Sequence, residues 1–196
     1  MKSSDAIRLF GMSCRMIEGD LDAVEKRLEV DLGRTENAAD SDSEYFPQFE
    51  EKLRRDALQM SKHYEVFYCL ELSTRELIRT TLEASHGVDW WNKTAPEVVP
   101  IGVKNNAAAN MKRELESGVT TRSTDPLDYT TFGELGEIVR HNWQEFSDTF
   151  NSQGAFNKIM SSLNTLRAPI AHCSLMAPDE VVRLRLTLRD WFRSMA

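Results

Sequence analysis

An all-α fold is what this chain predicts, and three observations predict it. Apolar residues recur at three- and four-residue intervals along most of the 196 residues. No β-type alternation is sustained over several positions, and only nine glycines and six prolines interrupt the pattern. The length suits one domain with a sizeable core plus a short extension, and there is no internal repeat.

The elements follow in order. A first helix is expected within Asp5 to Leu32, with Ile7, Met16, Ile17, Leu21, Val24 and Leu28 as its apolar side. The polar, acidic run Arg34 to Glu44 reads as a linker. This divides the chain into a helical arm with its linker, residues 1–45, and a main helical domain, residues 46–196. Pro47 is suited to the first turn of the next helix, which runs to about Ser85 and ends at His86-Gly87. So long a span invites a break somewhere within it. Val88 to Pro100 is a connector carrying Trp90 and Trp91, and a polar helix is expected from about Lys104 to Glu116. After the loop Ser117 to Asp128, Thr131 and Glu134 have the spacing of a capping box. Phe132, Leu135, Val139, Trp143, Phe146 and Phe150 then follow at i, i+3, i+7, i+11, i+14 and i+18, which predicts one amphipathic helix. Beyond Gly154, a helix carries Phe156, Ile159, Met160, Leu163 and Leu166. The last helix begins near Pro178, with Val181, Leu184, Leu188 and Trp191 on its buried side.

Composition excludes several classes. No apolar run approaches the roughly 20 residues that span a bilayer, and the N-terminus lacks the continuous apolar stretch of a signal peptide. Cys14, Cys69 and Cys173 are odd in number and far apart, so neither a disulfide framework nor a zinc site is indicated, and a reducing cytoplasm is the simplest compartment. No P-loop, dinucleotide fingerprint or H-E-x-x-H motif is present. The net charge of -7 argues against a broadly electropositive nucleic-acid binder, yet the segment after Leu166 carries five arginines against three acids. Within it, Arg185, Arg189 and Arg193 lie at i, i+4 and i+8. That stripe is either a solvated face or a surface that tracks an RNA backbone.

One short motif carries chemistry. Arg167 and His172 are separated by four residues between the last two helices, and Pro169 disfavours helical geometry at Ala168, which predicts a bend just after Arg167. On a straight helix, positions i and i+5 point about 140° apart, so a bend or a symmetric partner chain is needed to bring both side chains to one phosphate. The plain alternative is a helix-end arginine with a capping histidine. Glu71 falls between Phe67 and Ile78 inside an apolar arc, where a charge needs a partner. That partner is either Arg75, four residues on, or the motif arginine. His63 reads as a core histidine, His86 as a helix terminus, His141 as an exposed helix residue and Cys173 as structural.

The segments around this motif resemble the HEPN superfamily. They are Tyr64 to Ile78 with the downstream Trp90-Trp91, Tyr129 to Leu135 leading to Trp143 and Phe146, and Leu163 to His172 with its R-x(4–6)-H spacing. They occur in the expected order and cover roughly Tyr64 to the C-terminus. They are most similar to the branch that includes the terminal domain of an mRNA quality-control endoribonuclease and many microbial relatives. The resemblance implies a HEPN-like helical bundle, with the first 45 residues as an added arm. It implies an RNA endonuclease that works without metal or other cofactor and leaves a 2′,3′-cyclic phosphate. Its catalytic residues would be Arg167 and His172, and from the helical wheel Glu71, with Arg75, is the candidate to support them. It also implies a homodimer whose two motifs meet across a shared cleft, and the class would be a toxin or defence effector governed by a regulatory protein partner.

Two positions depart from the family pattern. A polar residue often follows the arginine, and here it is Ala168. In toxin members silenced by nucleotide transfer, a tyrosine lies two residues after the histidine, and here that position is Ser174, so the resemblance does not carry that mechanism. HEPN domains also include non-catalytic helical modules that bind proteins or nucleotides, and fold alone does not separate the two.

Overall fold

The computed structural model describes residues 46–195, together with Leu21, Val24, Arg27 and Leu28 of the N-terminal segment. Those four positions are helical. The remainder of the expected first helix, the linker Arg34 to Glu44 and Cys14 lie outside the described residues. The chain divides into two compact units, Met1–Glu50 and Glu51–Ala196. In the first, Phe46–Gln48 forms a 3-10 turn around Pro47.

The second unit is a bundle of six helices, with no strand among the described residues. They are α1 (Glu51–His86), α2 (Ile101–Glu116), α3 (Phe132–His141), α4 (Trp143–Phe146), α5 (Gln153–Ala171) and α6 (Pro178–Ser194). Among the described residues, no helix is long and apolar enough to cross a membrane.

Helix α1 is one unbroken element of 36 residues, about 54 Å long at 1.5 Å per residue. The expected break is absent because neither glycine nor proline occurs between Glu51 and His86. The helix also opens at Glu51 rather than at Pro47. It stops at Gly87, whose φ of +82° suits a residue without Cβ and whose N–H donates to Glu83 O at 2.8 Å. Its buried side, Phe67, Leu70, Thr74, Ile78 and Leu82, begins only at Phe67, near the middle of the helix. There it packs against α3, α4 and α5.

The spacing from Phe132 to Phe150 picks the core correctly but not the continuity. Phe132, Leu135, Val139, Phe146 and Phe150 are all buried. The chain nevertheless leaves helical geometry at Asn142 (φ -107°, ψ 39°), dividing the expected single helix into α3 and α4. The buried Asn142 amide donates to Ile138 O and to Val98 O, both at 2.8 Å. A side-chain donor therefore serves a carbonyl at the end of α3 while tying it to the connector. The capping box at the start of α3 is present: Thr131 Oγ1 accepts from Glu134 N–H, and Glu134 Oε2 accepts from Thr131 N–H at 2.7 Å.

Helix α5 packs on α3 and on α6. Gly136 of α3 sits under α5, where a Cβ would meet Met160 Cε at 3.1 Å. At the far end of α5, Trp143, Phe150, Phe156 and Trp191 form one aromatic cluster with ring centroids between 4.8 and 6.5 Å apart. Asn151 N–H donates to Ser194 O at 2.9 Å, which closes the C-terminal helix onto the cluster.

Candidate active site

The motif arginine is placed by the apolar register of α5. Leu163 and Leu166 are buried, so Arg167, the next residue, stands at the edge of the core and is directed toward α1. The predicted chain bend is not a helix end: α5 runs through Pro169 to Ala171. Pro169 lacks only the N–H that would serve Thr165 O, and the last turn is closed by His172 N–H donating to Ala168 O at 3.0 Å and Ser174 N–H donating to Pro169 O at 2.8 Å. Cys173 takes a φ of +54° at the turn out of the helix.

Arg167 Nε lies 3.2 Å from Glu71 Oε2, while Arg75 Nη2 lies 2.5 Å from Glu71 Oε1 and donates to Thr130 O at 3.0 Å. Glu71 therefore meets both partners that the sequence offered as alternatives. The three side chains differ in exposure: 11% for Arg75, 16% for Glu71 and 37% for Arg167. The innermost arginine neutralises the carboxylate from below. The outermost presents its guanidinium to solvent while its Nε is held.

This trio borders a cleft of about 750 Å³, walled by Tyr64, Tyr68 and Leu72 of α1, by Ile170 and Cys173, and by Arg122 from the loop after α2. A second hollow of about 440 Å³ shares Glu71, Arg75, Arg122 and Arg167, and adds Asn110, Arg113 and Glu114 of α2. Arg122 is the residue that sequence reasoning missed. Its backbone N–H donates to Glu114 Oε1 at 2.5 Å, its Nε donates to Glu114 Oε2 at 2.7 Å, and its guanidinium carbon lies 5.1 Å from the centre of the Tyr129 ring. The N–H and the guanidinium together hold the Glu114 carboxyl below its usual range. No spacing could have revealed Arg122, because its place depends on how the loop Ser117 to Asp125 folds back. That loop is fixed from the other side by Arg79 of α1, which donates to Asp125 Oδ2 at 2.9 and 3.1 Å.

His172 is exposed and is not part of the cleft wall of its own chain, and its ring makes no hydrogen bond among the described residues. The structure thus brings Arg167, Glu71 and Arg75 together and leaves His172 at the surface one turn beyond. Arg185, Arg189 and Arg193 are exposed on α6 with no ion pair among the described residues, and they do not border this cleft. Trp90 is buried and Trp91 half-buried, in edge-to-face contact at 5.6 Å. His63 and His86 are half-buried, His86 lying 3.3 Å from Glu145. His141 is exposed and contacts Glu97 O at 3.1 Å. Among the described residues, no three His, Cys, Asp or Glu side chains converge as a metal-binding group.

Comparison with curated proteins and with solved structures gives no match. A family model does match, over residues 65–196, which takes in every side chain of the cleft except Tyr64. The matched family is the Swt1-like HEPN family, and the chain belongs to it.

Proposed function

We propose that this protein is an endoribonuclease that cleaves RNA through the substrate's own 2′-hydroxyl. The observation that carries the reading is the presentation of Arg167: a guanidinium held at Nε by a carboxylate that Arg75 also contacts, open to solvent at the rim of a cleft, in a HEPN chain. In this reaction the 2′-oxygen bonds to phosphorus, the bond from phosphorus to the 5′-oxygen breaks, and the products are a 2′,3′-cyclic phosphate and a 5′-hydroxyl. Arg167 steadies the phosphate as its charge builds, a task suited to a fixed, bidentate donor. His172 moves protons to and from the reacting oxygens.

Within one chain His172 does not line the cleft that Arg167 borders. The reading therefore includes a two-fold homodimer in which the His172 of one protomer faces the Arg167 of the other across a shared cleft. In this reading the exposed stripe Arg185, Arg189 and Arg193 follows the RNA backbone beyond it. A toxin or defence effector under the control of a protein partner is the biological class this suits. The main domain, residues 46–196, carries the activity, and residues 1–45 are an added arm.

The test is cleavage of single-stranded RNA, with any natural activator supplied and chelator in excess. The parent should cut RNA and spare DNA, which lacks the attacking hydroxyl. His172→Ala should slow cleavage by roughly 10²- to 10⁴-fold with no loss of folding, and Arg167→Ala should be similarly damaging. Mixed dimers of the two variants should recover part of the activity if the site is shared. Equal cleavage by parent and His172→Ala, or a monomer at every concentration in light scattering, overturns the reading. A non-catalytic binding module is favoured by one observation, the absence of an orienting hydrogen bond on the His172 ring among the described residues. Intact partner binding with no cleavage under any condition would establish that module instead.

A further inference from the structure

Two tyrosines in the cleft wall have no packing role among the described residues. Phe67 and Leu70 carry the buried side of α1, whereas Tyr64 and Tyr68 stand on another side, one turn apart, 59% and 54% exposed. Their ring centroids are 6.1 Å apart and their planes are tilted by 37°, so they do not cover one another. Aromatic rings of this size normally bury most of their area, and two exposed neighbours in a concave wall are a surface awaiting something flat.

The charge of the same cleft indicates what that is. The protein carries a net charge of -7, yet Arg75, Arg122 and Arg167 border the cleft against two carboxylates, Glu71 and Asp128. Both carboxylates already face arginines, Glu71 as described and Asp128 at 3.6 Å from Arg79. The Arg122 side chain borders the same cleft and is 61% exposed, with Glu114 as its partner at 2.6 Å. Rings on one wall and guanidinium groups beside them suit an unpaired polynucleotide, whose bases offer π-faces and whose phosphates offer charge. A duplex hides its base faces and cannot use the rings.

We propose that Tyr64 and Tyr68 are a stacking platform for unpaired bases next to the scissile phosphate, with Arg122 taking a neighbouring phosphate. The cleft thereby selects single-stranded RNA by structure rather than by sequence. The proposal rests on the ribonuclease reading and adds the residues that choose the substrate.

The experiment uses full-length protein carrying His172→Ala, so that RNA survives, and measures fluorescence anisotropy with a short unstructured RNA and with a blunt duplex of the same sequence. This background should prefer the single strand. Tyr64→Ala and Tyr68→Ala should each weaken single-strand binding roughly ten-fold and leave the duplex unchanged, whereas Tyr64→Phe and Tyr68→Phe should bind as the background does. Arg122→Ala should weaken both probes and lower the salt dependence by about one phosphate contact. Alanine variants that bind like the background overturn the platform and leave the ribonuclease reading standing. A background that binds neither RNA overturns both. Phenylalanine variants as weak as the alanine ones overturn stacking, since the hydroxyls would then be the contact. Alanine variants that lose both probes equally and become monomeric in light scattering assign the tyrosines to self-association instead.

Discussion

The two ends of α5 do opposite jobs with the same helix. Its first half places Phe156, Ile159, Met160 and Leu163 in the core, where Phe156 meets Phe150, Trp143 and Trp191. Beyond Leu166 no residue of the helix is fully buried, Ile170 packing only partly against the core, and Arg167 there is paired to Glu71 and open to a cleft. The difference teaches how a site is aimed. A well-packed apolar half fixes the rotation of the helix about its axis, and that rotation decides that Arg167 faces α1. Core packing is concentrated at one end and the proposed chemistry at the other, so variants at the two ends should separate in what they damage.

The largest effect should come from the aromatic end. Phe156→Ala removes a fully buried ring from a cluster of four, and truncations of this kind cost about 3–5 kcal/mol. For a chain of this length that lowers the melting temperature by on the order of ten degrees. The Phe156→Ala protein, assayed well below its melting point, should keep any cleavage activity of the parent. A shift of only a degree or two, or lost activity in a still-folded variant, would mean the two ends are not separable.

At the cleft end the carboxylate trio should split in the same way on a smaller scale. Glu71→Gln leaves Arg75, 11% exposed, with Thr130 O as its remaining acceptor, and should cost about 1–3 kcal/mol in chemical denaturation. Arg167 is more than a third exposed, so its pairing with Glu71 is screened by water and contributes at most about 1 kcal/mol. Arg75→Ala should therefore destabilise more than Arg167→Ala, while Arg167→Ala should be the more harmful to cleavage. A reversed order in either measurement would show that the pair with Arg167, not the pair with Arg75, is the structural one.

How much of this was legible beforehand follows from what each feature depends on. Helical class, the capping box at Thr131, the end at Gly87 and the charge of Glu71 inside an apolar arc are local or periodic, and each is visible in a few consecutive residues. The break at Asn142 was not legible, because it depends on an amide reaching Val98 O, 44 residues away in sequence. The continuation of α5 through Pro169 was not legible either. A proline one turn from a helix end removes a single bond, and the turn at Cys173 supplies others. Within the cleft, Arg167 and Glu71 could be read from the motif and the helical wheel, but Arg122 could not, since a loop's path back across the protein leaves no period to count.

The smallest effect concerns that loop, and it has a definite sign. The Arg122 N–H and guanidinium hold the Glu114 carboxyl below its ordinary value of 4.5, so the folded chain binds this proton less tightly than the unfolded chain does. The stability this group contributes is complete above the ordinary value and is lost as pH falls through the lowered folded one. Glu114→Gln never carries the charge, so it lacks that contribution at every pH. Parent and variant should differ by a constant amount in urea midpoint from about pH 7 down to the ordinary carboxyl value and should converge below it. The gap should be small, because Arg122 is largely exposed and its ion pair is screened. High salt should narrow the neutral-pH gap further without moving the pH at which convergence begins. The hydrogen-exchange protection factor of the Arg122 N–H, taken against the intrinsic exchange rate at each pH, should fall over the same acid range in the parent and be low throughout in the variant, since that N–H loses its carboxylate acceptor in both cases. Midpoints that fall in parallel for the two proteins across the whole range would mean that Glu114 does not hold the loop, and that Arg122 reaches the cleft by some other constraint.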